Sequence, residues 1–194
     1  MNIFELDENP LVCASMHCDK HVVKMPIEYA QLLSTAHRVL DGEEYIGKTK
    51  TGRKAKRYRL NDEREKHLYM ASHIKHPDGI WVRQSSGNYY KLFFLYMSLL
   101  TEFTHRYGKV HGASKPSFWL QKTPNNIPFG FETELPQCMP EDCKTNNVID
   151  AYHNYYIHYK KDFATWKNRN TPEWYINCLL YTSPSCLLYT SPSP

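Results

Sequence analysis

The stretch His17-Cys18-Asp19-Lys20-His21-Val22-Val23-Lys24-Met25-Pro26-Ile27-Glu28 decides how the N-terminal part of the chain is read. As a helix it places His17, His21, Lys24 and Glu28 at i, i+4, i+7 and i+11, a single stripe down one face. An amphipathic helix of a soluble domain puts Leu or Val on such a stripe. This one carries two imidazoles, an amine and a carboxylate, with Lys20 and Gln31 on its shoulders. Such a stripe either faces water or builds a site.

Upstream, residues 2–6 alternate weakly, as a short strand or an extended arm. Asp7-Glu8-Asn9-Pro10 combines capping side chains with a first-turn proline, so a helix is predicted from about Pro10 to Met25. Pro26 lacks a backbone donor and is expected to kink or restart it, with a continuation from Ile27 to Leu40 that Asp41-Gly42 stops. Gly47–Tyr58, rich in Gly, Lys and Arg, reads as a mobile basic loop. A helix is predicted over 61–72, with Asn61-Asp62 as its cap, and a turn at His73–Gly79. The longest element is expected from Ser85 or Ser86 to Tyr107, with an apolar face from Tyr89 to Phe103 and Gly108 as its stop. Residues 112–147 hold five prolines and read as an irregular connection with short helices near Phe118 and Met139. A last helix is predicted over 148–166. The expected fold class is all-α: one compact domain of about five helices with a long Pro-rich connection.

The last seventeen residues stand apart, because Cys178-Leu-Leu-Tyr-Thr-Ser-Pro-Ser185 recurs unchanged as 186–193, followed by Pro194. No repeat architecture uses such an eight-residue unit. CLLYTS is what a sequencing-library adapter encodes, so residues 178–194 read as adapter read-through in an environmental assembly, and the native domain is expected to be 1–177.

At 194 residues and 41% hydrophobic content the chain has enough mass for a core. No apolar run reaches the roughly 18 residues of a membrane span, and no secretory leader is visible, so a cytoplasmic protein without membrane contact is expected. Cys13, Cys18, Cys138 and Cys143 are too scattered for a disulfide framework. The formal charge of +4 is local in origin: Lys48, Lys50, Arg53, Lys54, Lys56, Arg57 and Arg59 account for seven of the 24 basic residues, and no acidic residue lies among them.

Three constellations carry chemistry. On the His17/His21/Lys24/Glu28 stripe, paired imidazoles fit a metal, with Glu28 or Cys13 as third ligand, but the intervening lysine opposes a cation; an acid/base or amine-nucleophile site built on Lys24 is the alternative, and a solvated polar face the plain one. No metal or other cofactor is therefore assigned. The basic segment is the footprint of a phosphate backbone or nucleotide, or a solubilising loop. Trp81-Val-Arg83-Gln-Ser-Ser-Gly-Asn88-Tyr89-Tyr90 gathers rings, a guanidinium and hydroxyls that suit bases and phosphates, or an ordinary aromatic-anchored helix start. His73, His76, His105 and His111 read as turn or cap histidines, and the Cys138/Cys143 spacing is not that of a zinc pair.

The motifs HCDKHVVKM, WVRQSSGNYY, EFTHRYGKVH, PQCMP, AYHNYY and TPEWY resemble a family of small uncharacterised proteins of phage and marine viral genomes, which implies an infected host cell as setting. The layout is also similar, distantly, to the phage pyrimidine-dimer DNA glycosylases of the endonuclease V family: a first helix with His17, a long aromatic helix ending in Arg106-Tyr-Gly108, and Pro172-Glu-Trp-Tyr175. That resemblance implies a helical enzyme that excises damaged bases and cleaves the strand through a Schiff base. Two departures matter. The family attacks with the α-amine of a small residue exposed by Met removal, where this chain has the larger Asn2; and its glutamate, seven positions after the His, is replaced by Lys24. The resulting expectation is a DNA-acting enzyme using His17, His21, Lys24 and Glu28, with the basic residues 48–59, Arg83, Asn88 and Arg106 as nucleic-acid contacts; whether the stripe converges in a pocket with Arg83, Asn88 and Arg106 or points into water is left open. The alternatives are a nucleic-acid or nucleotide-binding protein without activity, and a metal-dependent hydrolase using His17 and His21.

Overall fold

In the computed structural model, residues 1–48 and 51–182 are described, and the chain is mainly helical. Asn9 caps the first helix, α1 (Pro10–Met16), its side chain accepting from the backbone of Leu11 and Val12 with Pro10 in the first turn. The predicted continuous helix to Met25 does not form. His17 and Cys18 are extended, and a second helix, α2, runs Asp19–Asp41. The physical reason lies in distant partners: Arg106 donates to the Ser15 carbonyl at 2.8 Å, the Trp166 indole to Met16 at 2.8 Å, and Asp19 N–H to the Thr165 carbonyl at 2.8 Å. These groups satisfy the backbone that an unbroken helix would have paired internally. Pro26, expected to kink or restart the helix, lies within α2. The His111 ring bonds the Val23 carbonyl there at 3.0 Å.

The segment read as a mobile basic loop is an antiparallel hairpin, β1 (Glu43–Lys48) and β2 (Lys54–Arg59), in register from Glu43↔Arg59 to Lys48↔Lys54. The all-α expectation is corrected accordingly. The helix expected over 61–72 shrinks to α3 (Arg64–His67). Buried Arg38 explains why: its guanidinium bonds the carbonyls of Tyr58, Glu65, Leu68 and Tyr69 and the Glu65 carboxylate, holding the following chain extended. The predicted turn at 73–79 leads into α4 (Pro77–Val82), capped by the His76 ring.

The long helix forms as expected, α5 (Ser86–Tyr107), capped by Ser85 and ended by Gly108 at φ 63, a left-handed position. It packs along α2 and α1. The Pro-rich connection carries α6 (Ser117–Leu120) and two 3-10 turns, Gly112–Ser114 and Glu141–Cys143. It is tied down by buried tyrosine hydroxyls: Tyr96 donates to Ala113 O at 2.5 Å and Tyr89 to Leu120 O at 2.9 Å. α7 (Val148–Tyr159) stops short of Trp166, and α8 (Glu173–Thr182) follows, seating Tyr175 in the core and crossing the expected native boundary at 177. The N-terminal arm is extended and inserted, with Ile3, Phe4 and Leu6 buried. No helix among the described residues is long and apolar enough to cross a membrane.

Candidate functional site

The α2 helix presents Lys24 and Glu28 one turn apart, Nζ to Oε1 at 2.9 Å, with 68% of the lysine side chain exposed and 15% of the glutamate. Together with His21, Met1, Tyr155 and Lys160 they line a cavity of about 120 Å³. His21 is buried against the Phe4 ring, and its Nδ1 meets the Tyr156 hydroxyl at 2.5 Å. Burial first, then the positive charges of His17, Lys160 and Lys24, hold its pKa down to about 2. It is therefore a neutral imidazole in the cavity wall. Three of the four residues of the predicted stripe thus share one site.

His17 does not join them. The helix break turns it into the core, fully buried, with Nδ1 on the Cys13 carbonyl at 2.8 Å and Nε2 buried without a partner. Burial lowers its pKa to about 4. With Nδ1 of both histidines engaged, the ring centroids stand 6.3 Å apart. Neither belongs to the single group of three candidate metal ligands among the described residues.

Arg83, Asn88 and Arg106 do not converge there either. Arg106 is fully buried and bonds Glu102 at 2.6 Å, Asp19 at 2.9 Å and Ser15 O at 2.8 Å; Arg169 completes the network on Glu102 at 2.7 Å. Asn88 is equally buried, its amide donating to Trp81 O and bridging to Thr133, which fixes α5 to the Pro-rich connection. Arg83 spends both terminal nitrogens on Gly79 O and Ile74 O, each at 2.7 Å. All three belong to the framework. In sequence a guanidinium that holds backbone carbonyls looks the same as one that holds phosphates.

The hairpin displays Lys48, Lys54, Lys56, Arg57 and Arg59, with Arg53 in its turn; Lys50 lies outside the described residues. Directly paired residues share a face, so Lys48 faces Lys54, a like-charge pair that disfavours pairing in the absence of an anion. On the same face Lys56 bonds Glu44 at 2.8 Å, as does the Tyr58 hydroxyl at 3.0 Å. On the other, Arg59 lies over the Tyr45 ring at 4.9 Å. The base of the first face continues into an open groove of about 590 Å³ lined by Lys56, Tyr58, His73, Lys75 and His76. His73 sits there at φ 50, a strained backbone position for a residue with a side chain. Burial first, then the positive charges of the N-terminus and His73, lowers the His76 pKa, and the Glu28 carboxylate opposes them.

The molecule thus has a cationic groove under the hairpin and a separate cavity with an exposed amine, a half-buried carboxylate and a neutral imidazole. An amine so placed can condense with a carbonyl carbon, and the carboxylate can move the protons. Reading the sequence missed the groove, because Tyr58, His73, Lys75 and His76 come from two separate segments. It also missed a cavity of about 410 Å³ at the foot of the hairpin, lined by His37, Arg64, Phe118 and Trp119. Comparison with family models, curated proteins and solved structures returns no match.

Proposed function

We propose that this chain acts on DNA, holding the phosphate backbone on the basic hairpin and the Lys56–His76 groove, and carrying out base-excision chemistry of the glycosylase/lyase type in the cavity of His21, Lys24 and Glu28. One observation supports the reading: Lys56 and Tyr58 of the basic hairpin also line an open groove with His73, Lys75 and His76, which gives a bound strand a cationic surface. The Glu28 carboxylate takes a proton from the Lys24 ammonium that it pairs with, the amine adds to the C1′ aldehyde of an abasic sugar, and the proton passes to the departing hydroxyl as water leaves, giving a protonated imine. The Glu28 carboxylate then takes a C2′ proton and the 3′ phosphate departs. His21, uncharged, lines the cavity without competing for the phosphate.

Borohydride reduction during incubation with DNA bearing one abasic site tests this. The expected result is a covalent protein–DNA species on a denaturing gel, absent with Lys24→Ala and slowed at least ten-fold with Glu28→Gln. An adduct that survives Lys24→Ala overturns the role of that amine. The like-charge Lys48/Lys54 pair independently favours a second reading, a nucleic-acid-binding protein without turnover. Salt-dependent DNA binding with no adduct on any substrate would select it.

A further inference from the structure

Outside that cavity, three side chains with different donor atoms meet where the N-terminal arm crosses the start of α4. Asp78 is fully buried; its Oδ1 accepts from the Cys138 thiol at 3.2 Å and its Oδ2 from Ile3 N–H at 3.0 Å. His76 Nδ1 lies 4.0 Å from the same Oδ2, the sole salt-bridge contact of this carboxylate among the described residues. Ligand atoms of all three lie within 4.8 Å of one another. A buried carboxylate needs a compensating charge, and an imidazole at that distance compensates poorly.

We propose that His76, Asp78 and Cys138 form a transition-metal site, with zinc as the ion that one thiolate, one imidazole and one carboxylate favour. Bond lengths of 2.0–2.3 Å around a tetrahedral zinc set neighbouring donors roughly 3.3–3.6 Å apart. Cys138 Sγ stands 3.2 Å from Oδ1 and His76 Nδ1 4.0 Å from Oδ2, on opposite oxygens of the Asp78 carboxylate, and with all three donors within 4.8 Å of one another an ion draws them inward. Three protein ligands leave a fourth position for water or a ligand oxygen. The outer contacts suit the role: Ile3 N–H orients the carboxylate, and the Asn2 amide holds the Cys138 carbonyl at 2.5 Å. Loading has two costs. The Cys138 thiol releases its proton to solvent as the sulfur–metal bond forms, and His76 Nδ1 exchanges its bond to Asp78 N–H for the metal. The Met1 amino group, whose positive charge reaches all three side chains, is the competing cation.

The inference shares His76 with the proposed nucleic-acid groove but does not rest on that reading, and its test uses the reduced full chain with cobalt(II) as a spectroscopic probe for zinc. Titration is expected to give one equivalent bound, with a near-ultraviolet thiolate-to-cobalt charge-transfer band that zinc displaces. Cys138→Ser should abolish the band and Asp78→Asn should weaken binding at least ten-fold, while Cys143→Ser leaves both unchanged. Circular dichroism confirms that each variant folds, and His76→Gln replaces Asp78→Asn if the latter does not. No saturable binding, or a band that persists in Cys138→Ser, overturns the site.

Discussion

Arg106 shows how much of this fold rests on one side chain. Its guanidinium joins Glu102, Asp19 and the Ser15 carbonyl with no solvent contact, so removing it leaves a buried carboxylate short of a partner and an unsatisfied helix end. Arg106→Ala is expected to cost roughly 3–5 kcal/mol in urea unfolding, and Arg106→Lys to recover little, because an ammonium cannot span three divergent acceptors. A loss below about 1 kcal/mol would contradict the assignment. Lys24→Ala, by contrast, removes one partner of an exposed pair and should change stability by less than about 1 kcal/mol. At this scale the sequence was legible where side chains act locally: Asn9 caps α1, and Lys24 and Glu28 meet as their spacing requires. It was silent on His17, whose burial depends on residues 89 and 149 positions further along the chain, Arg106 and Trp166, breaking the helix beside it.

Among the elements, α5 could be read from its apolar period and its glycine stop, whereas the hairpin could not. Its strands, Glu-Glu-Tyr-Ile-Gly-Lys and Lys-Ala-Lys-Arg-Tyr-Arg, scatter their few apolar residues over both faces among charged ones, so nothing in the pattern distinguishes a ribbon from a loop. The ribbon makes a sharp prediction. Replacing Lys54, Lys56, Arg57 and Arg59 with Ala should weaken DNA binding by at least ten-fold and flatten the slope of log K against log salt by about 3.6, since each of the four released phosphate contacts is worth about 0.9. Fluorescence anisotropy at several salt concentrations measures both. An unchanged slope would show that the ribbon does not meet the backbone. Helical content should persist, because the hairpin projects from the end of α2 with all four residues exposed or half-buried.

For the molecule as a whole, the core is unusual in its neutral imidazoles. Burial holds His17 and His37 at about 4 and His21 at about 2, below the ordinary 6.5. Depressed folded values mean that the unfolded chain takes up these protons first. Stability is therefore complete above about pH 6.5 and lost as pH falls, by about 1.4 kcal/mol per pH unit for each histidine until its folded value is reached. Thermal unfolding between pH 7.5 and 5 should show Tm dropping steeply below pH 6.5; a flat profile would contradict the burial of these rings. Removing residues 178–194 should shift Tm by less than about 2 °C, since Trp174 and Tyr175, which precede that segment, pack α8 onto the core.

The proposed function has a strand held on the basic hairpin react at the Lys24 amine. Mapping the borohydride-trapped product tests it most directly: the protein–DNA adduct is digested and the modified peptide identified by mass spectrometry. The account predicts a reduced sugar on Lys24 Nζ. A modification at the Met1 amino group or Lys160, which line the same cavity, would contradict it, as would the absence of any adduct.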